Sequence, residues 1–175
     1  MRNLTILAAC SLAACSGGGD EKKVEAAAAT MEAGQWETAF EVRSIRSTDK
    51  TEPALKAVAG DKETGSACIA AGSEATPPPA LFAGPGYECT YKNSYIRGGR
   101  INAALTCTRA GLSGEIIMSV DGTYTGTSFE GTVSTSTYLV SNGDFASTRK
   151  ISGRKIGPTC AAEEPAAGGT AKKAA

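Results

Sequence analysis

Residues 87–109, YECTYKNSYIRGGRINAALTCTR, are two strand-like runs around a glycine turn. Tyr87–Ile96 and Arg100–Arg109 flank Arg97-Gly98-Gly99. A three-residue loop with its glycine in the left-handed position is a common hairpin connection. With Gly99 there, Ile96 lies opposite Arg100, Tyr91 opposite Leu105 and Cys89 opposite Cys107. Directly opposed strand residues are close enough for a disulfide, so the register predicts a Cys89–Cys107 bridge.

The same arithmetic extends in both directions. A turn at Ala110-Gly111 sets Leu105 against Ile116, Ala103 against Met118 and Ile101 against Val120. The next turn falls at Asp121-Gly122 or at Gly126-Thr127. The second is preferred because it sets Tyr124 against Phe129 and Val120 against Val133, and register follows the buried face. Asp121-Gly122 then becomes a bulge or twist point. A last turn near Ser141-Asn142-Gly143 puts Phe145 opposite Leu139 and Ile151 opposite Val133, with Thr132, Ser134 and Ser136 on a solvated face. Upstream, Trp36, Thr38, Phe40 and Val42 alternate with Glu37, Glu41 and Arg43, the pattern of a half-buried strand.

These segments predict a mainly all-β fold: an antiparallel meander of about six strands with one continuous apolar face. The face must be covered, either by curling into a barrel or lipocalin-like half-barrel or by the long excursion 47–86. Within that excursion Pro53, Ala54–Ala59 and Gly60 carry the signals of one short helix, and Pro77-Pro78-Pro79 is stiff and extended.

Composition narrows the function classes. Lys plus Arg equals Asp plus Glu at 18 each, so no basic patch is expected to release counterions and nucleic acid is not an expected partner. The chain has no histidine, the commonest general base and metal ligand. No cofactor, metal or catalytic residue is expected; the serines, including Ser113-Gly114-Glu115, have no histidine to activate them. Glu37 and Glu41 are expected on a solvated outer face.

The first residues have the layout of a secretory signal peptide: Arg2, an apolar run Leu4–Ala14, then Cys15. Leu12-Ala13-Ala14-Cys15 resembles the lipobox of bacterial lipoproteins. Leu7-Ala8-Ala9-Cys10 has the same pattern but leaves an apolar core shorter than the roughly 7–15 residues expected. The expectation is a signal peptide over 1–14, a lipid-bearing Cys15 with a tether over 15–33, a single β domain over 34–160 and a disordered tail over 161–175. The resemblance implies membrane attachment through the N-terminal lipid on the periplasmic side of the cell envelope. Because Ser16, not aspartate, follows the cysteine, it implies the outer membrane rather than the inner. In an exported chain an even set of cysteines forms disulfides. With Cys89 and Cys107 joined, Cys68 and Cys160 remain to tie the excursion to the C-terminal end. A four-thiolate zinc site would need close cysteine pairs, which these spacings lack.

The order of short motifs resembles the domain of unknown function 3617 family of proteobacterial exported proteins. The residues that carry it are Gly34-Gln35-Trp36-Glu37, Ala67-Cys68-Ile69, the Cys89 and Cys107 hairpin, Tyr124-Thr125-Gly126, Phe129-Glu130-Gly131-Thr132 and Ser152–Gly157 before Cys160. The resemblance implies export and disulfides and supplies no activity. Gly34-x-Trp36 also resembles the first strand of lipocalin-like barrels, which implies a late arginine, Arg154 or Arg149, packed on Trp36. Tyr87, Tyr91 and Tyr95 alternate and are expected to share a face, where Tyr91 and Tyr95 with Trp36 and Arg154 would line a ligand cavity or the core. Two function classes follow: a non-catalytic structural or protein-interaction module of the envelope, or a binding module holding an apolar small molecule or lipid in the curled sheet.

Overall fold

Burial alternates along the strands as the sequence pattern requires. In the first strand Gly34, Trp36, Thr38 and Phe40 are buried, while the residues between them are half-buried or exposed. A computed structural model of the chain describes residues 30–141 and 143–160. The expected signal peptide, the lipid-bearing Cys15, most of the tether and the tail lie outside those residues.

The strands are β1 (Gly34–Ser47), β2 (Lys62–Ile69), β3 (Tyr87–Arg97), β4 (Arg100–Arg109), β5 (Leu112–Tyr124), β6 (Ser128–Leu139) and β7 (Phe145–Gly157), with one short helix α1 (Ala80–Ala83). They form one antiparallel sheet in the order β2-β1-β7-β6-β5-β4-β3, curled into a half-barrel. The seventh strand, β2, lies inside the excursion. Its sequence KETGSACI is apolar only toward its end, where Ala67 and Ile69 are buried, and it pairs with β1 with Trp36 opposite Ala67. The helix expected at Ala54–Ala59 does not form. The Ala54 N–H donates to the Gly143 carbonyl and the Val58 N–H to the Asp61 carboxylate, so the segment's donors are committed elsewhere. The helix stands instead after the three prolines. The fold also takes in Met31–Ala33, expected as tether: Met31 is fully buried and the Glu32 N–H donates to the Gly126 carbonyl.

The β3–β4 register pairs Cys89 with Cys107 and Tyr91 with Leu105, as expected, but by a different route. The loop has two residues, Gly98 and Gly99, both at positive φ, with Arg97 opposite Arg100. This is the primed turn that matches strand twist. A β-bulge between Tyr91 and Asn93 then restores the pairing at the cysteines. The bulge has a second consequence: beyond it the faces exchange, so Ile96 points inward and Tyr95 outward.

The β5–β6 hairpin has the expected register, Tyr124 opposite Phe129 and Val120 opposite Val133. No bulge marks Gly122. It lies opposite Gly131, and a Cβ on either would strike the facing backbone. Two other hairpins differ from expectation by two residues. Leu105 pairs with Met118 rather than Ile116, because an irregularity beside Gly114 (φ +135°) takes up the difference after the Ala110-Gly111 turn. Val133 pairs with Arg149 rather than Ile151, and the Phe145 N–H donates to Thr137 Oγ1, not opposite Leu139. A two-residue slip leaves every side chain on its face, so the apolar pattern cannot detect it. Local hydrogen bonds decide: Asp144 Oδ1 accepts from Leu139 N and Thr137 Oγ1.

Asp49 holds this end of the sheet. One carboxylate oxygen accepts from Ser47 Oγ, Thr51 N and Thr51 Oγ1; the other accepts from Gly143 N at 2.7 Å and Asp144 N at 3.0 Å. The hydrogen bonds from Thr51, then from Gly143 and Asp144, hold its pKa well below the usual carboxylate range. A depressed carboxylate pKa contributes stability that is fully present above the unfolded value near 4 and is lost as pH falls through the folded value. Asp49→Asn, which would turn an amide donor toward other donors, is therefore expected to lower the melting temperature at neutral pH. The gap to the parent should shrink steadily below about pH 4. A pH series of thermal melts checks this, and a gap independent of pH would refute it.

Candidate functional site

The concave face of the half-barrel is occupied by the chain itself. The segment that follows Pro77-Pro78-Pro79 crosses it, and Leu81, Phe82 and Ala83 are fully buried there. Phe82 meets Phe129 edge to face at 5.4 Å, and Trp36 lies 6.0 Å from Phe129 on the other side. Gly153 faces Phe129 across β6–β7, and any Cβ there would collide with the ring. These rings fill the space in which a lipocalin-like carrier would hold a ligand.

Polar side chains clamp the plug by its backbone carbonyls. Tyr91 Oη donates to the Pro77 carbonyl at 2.7 Å, Arg109 to the Pro85 carbonyl at 3.3 Å and Arg149 to the Ala83 carbonyl at 2.8 Å. The Tyr87 ring lies between Arg109 and Arg149, 4.4 and 5.3 Å from their guanidinium carbons. Arg149 also lies 5.2 Å from the centre of the Phe40 ring. Burial lowers the pKa of Arg149 and raises that of the Tyr91 hydroxyl, by desolvation in each case. Deprotonation is not reached at Arg149, so the interior holds a cation steadied by rings and a carbonyl.

The arginine expected on Trp36 is elsewhere. Trp36 is fully buried and its Nε1 donates to the Glu32 carbonyl at 3.1 Å. Arg154 lies on the outer face and pairs with Glu37 at 2.7 Å. Arg149 stacks on Phe40 and Tyr87 instead, because its position on β7 places it opposite Val133, away from Trp36. Of the three tyrosines, Tyr87 and Tyr91 face the plug, while Tyr95 is 47% exposed beneath Arg97. The bulge before Asn93 is the reason, and nothing in the alternation of the sequence announces it. Glu37 and Glu41 lie on the outer face, paired with Arg154 and Arg43. Thr132, Ser134 and Ser136 are exposed as expected.

The two cysteine pairs are Cys89–Cys107 and Cys68–Cys160, with Cα atoms 4.1 and 5.4 Å apart. Among the described residues no cluster of His, Cys, Asp or Glu could hold a metal ion. No helix among them is long and apolar enough to cross a membrane.

A groove of about 710 Å³ runs across the outer face, from Thr64 on β2 to Gly99 in the β3–β4 turn. Glu37, Arg154, Glu130 and Ser128 lie along it. It is open, and beside the polar outer-face side chains its lining includes the buried Thr38, Tyr124 and Phe129. Coverage of the apolar face by the excursion 47–86 is one of the two expected arrangements, and Leu81–Ala83 provide it; which residues form the plug, and the groove, are not foreseen. The Leu81-Phe82 pair after three prolines is the available signal for the plug.

The fold and site define a small disulfide-linked antiparallel half-barrel whose concave face is sealed by its own loop. A family model described as Protein of unknown function (DUF3617) matches residues 31–160, and the chain belongs to that family. The match begins at Met31, which among the described residues is the first buried in the core. Neither the curated proteins nor the solved structures contain a match to this chain.

Proposed function

We propose that this protein is a non-catalytic envelope lipoprotein, held through a lipid on Cys15 on the periplasmic side, more specifically at the outer membrane, and acting as a protein-interaction module. One observation carries the choice of module over carrier: Leu81 and Phe82 are fully buried on the concave face. An apolar ligand bound there would have to displace them along with three side-chain hydrogen bonds. Ligand sites are for the most part already formed and concave, and here that space is taken. The lipid attachment is supported by the Leu12–Cys15 pattern alone, and export also by the two cysteine pairs.

Native mass spectrometry of the Cys15→Ser chain, purified from an oxidising compartment, tests the module reading. A bare chain lighter by the hydrogens of two disulfides is expected. A reproducible extra mass that leaves on denaturation would turn the assignment to a carrier. In the same preparation Cys15→Ser should leave the membrane fraction while Cys10→Ser stays in it; the reverse would move the lipid to Cys10.

A further inference from the structure

The β3–β4 hairpin ends in an arrangement that folding alone disfavours. Arg97 and Arg100 lie directly opposite each other across the turn, both on the outer face and both exposed. Like charges at opposed strand positions are destabilising. Neither makes an ion pair among the described residues. Asp121, on the neighbouring strand, is engaged by Asn102 at 2.7 Å. The Arg97 guanidinium lies 4.2 Å from the centre of the exposed Tyr95 ring. Stacking of that kind orients the guanidinium while leaving its N–H edge free for a phosphate, which it can grip with two parallel bonds.

The position of this tip in the fold identifies what it meets. The Tyr124 N–H donates to the Gly99 carbonyl, tying the tip to the β5–β6 turn. The Glu32 N–H donates to Gly126 in that same turn. The chain therefore enters the sheet from its N-terminal segment at the end that carries Tyr95, Arg97 and Arg100. The opposite end carries the β1–β2 and β6–β7 loops, where Asp49 and Asp144 are taken up by hydrogen bonds. The stretch between Cys15 and the first described residue can span at most about 50 Å. A lipid on Cys15 thus keeps the arginine end within reach of the membrane surface.

We propose that the β3–β4 tip is a membrane-contact site, in which Arg97 and Arg100 bind the phosphate of anionic lipid headgroups and Tyr95 enters the interface beside them. The choice of a membrane as the partner rests on the lipid-anchor reading; the affinity of the arginine pair for phosphate is tested apart from it in the unlipidated chain. Bound phosphate relieves the repulsion between the two arginines.

The test uses the full-length lipoprotein carrying Tyr95→Trp. It is reconstituted in brominated-lipid vesicles of phosphatidylcholine alone or mixed with phosphatidylglycerol. Trp36 is buried and supplies a constant background. Emission from position 95 should be quenched in the anionic vesicles and not in the neutral ones, and added Arg97→Gln and Arg100→Gln should abolish the difference. At about fivefold per basic residue, the unlipidated Cys15→Ser chain should lose about 25-fold in partitioning to anionic vesicles on the same double change. The double variant should melt no lower than its parent, since it removes a repulsion. Flotation with neutral vesicles reports the anchor separately. A chain that floats with both vesicle types yet is unquenched in both keeps the anchor and overturns the contact. One that fails to float with neutral vesicles but is quenched in anionic ones keeps the contact and overturns the anchor. Equal quenching in both vesicle types overturns the role of the arginines.

Discussion

Serine at both Cys68 and Cys160 is expected to lower the unfolding free energy by about 4–5 kcal/mol, more than any other pair of changes to the cysteines. The bridge spans a sequence separation of 92, against 18 for Cys89–Cys107. Chain-entropy arguments assign about 3 kcal/mol to a loop as short as the second. The structure points the same way. Cys89 and Cys107 lie in a hairpin whose register the β-ladder already holds. Cys68 lies on β2, an edge strand with β1 as its one neighbour, and Cys160 follows the last residue of β7. Without the bridge the edge strand is held by its pairing to β1 and by the buried Ile69 and Ala67, and the chain end loses its covalent tie to it. Urea unfolding of the two double-serine variants under oxidising conditions checks the order. A larger loss from the hairpin pair would mean that the long loop is already compact in the unfolded chain.

Phe82→Ala is expected to cost about 3–5 kcal/mol, the range for removing a large aromatic from a core that cannot close over the space. The ring is fully buried, and Phe129 beneath it is pinned between Trp36 and the backbone of Gly153. The walls therefore have little room to relax. Three side-chain bonds to the Pro77, Ala83 and Pro85 carbonyls keep the plug in place after truncation. The variant should thus enclose a dry apolar cavity, and a small aromatic such as benzene should raise its melting temperature while leaving the parent unaffected. If the loss were under about 1 kcal/mol and the variant bound a hydrophobic dye, the plug would be a mobile cover and the carrier reading would regain ground.

The strands β3–β7 were legible because each combines alternation with a turn signal, and because opposed cysteines and opposed aromatics had to meet. The finer register was not. Two hairpins slipped by two residues, a change that keeps every apolar side chain inward and leaves no trace in periodicity. The β3–β4 hairpin illustrates the opposite risk: a two-residue turn and a bulge together reproduce the cysteine pairing that a three-residue turn predicts. The difference matters, because the bulge moves Tyr95 to the outside and brings Arg97 opposite Arg100. The candidate site was less legible still. The lipocalin-like resemblance implies Arg154 or Arg149 on Trp36; Arg149 stacks on Phe40 and Tyr87 instead, since its partner depends on which residue of β6 it faces.

The sequence by itself determined the fold class, the meander from β3 to β7, the Cys89–Cys107 contact and, with it, the remaining pair. These rest on period-two burial and on local turns, interactions between residues near one another in the chain. Only the tertiary structure decided that β2 joins the edge of β1, that Leu81 and Phe82 seal the concave face, and that the arginine tip shares an end with the N-terminal segment. Each depends on backbone hydrogen bonds and packing between distant segments, whose energies do not reside in the pattern of any one of them.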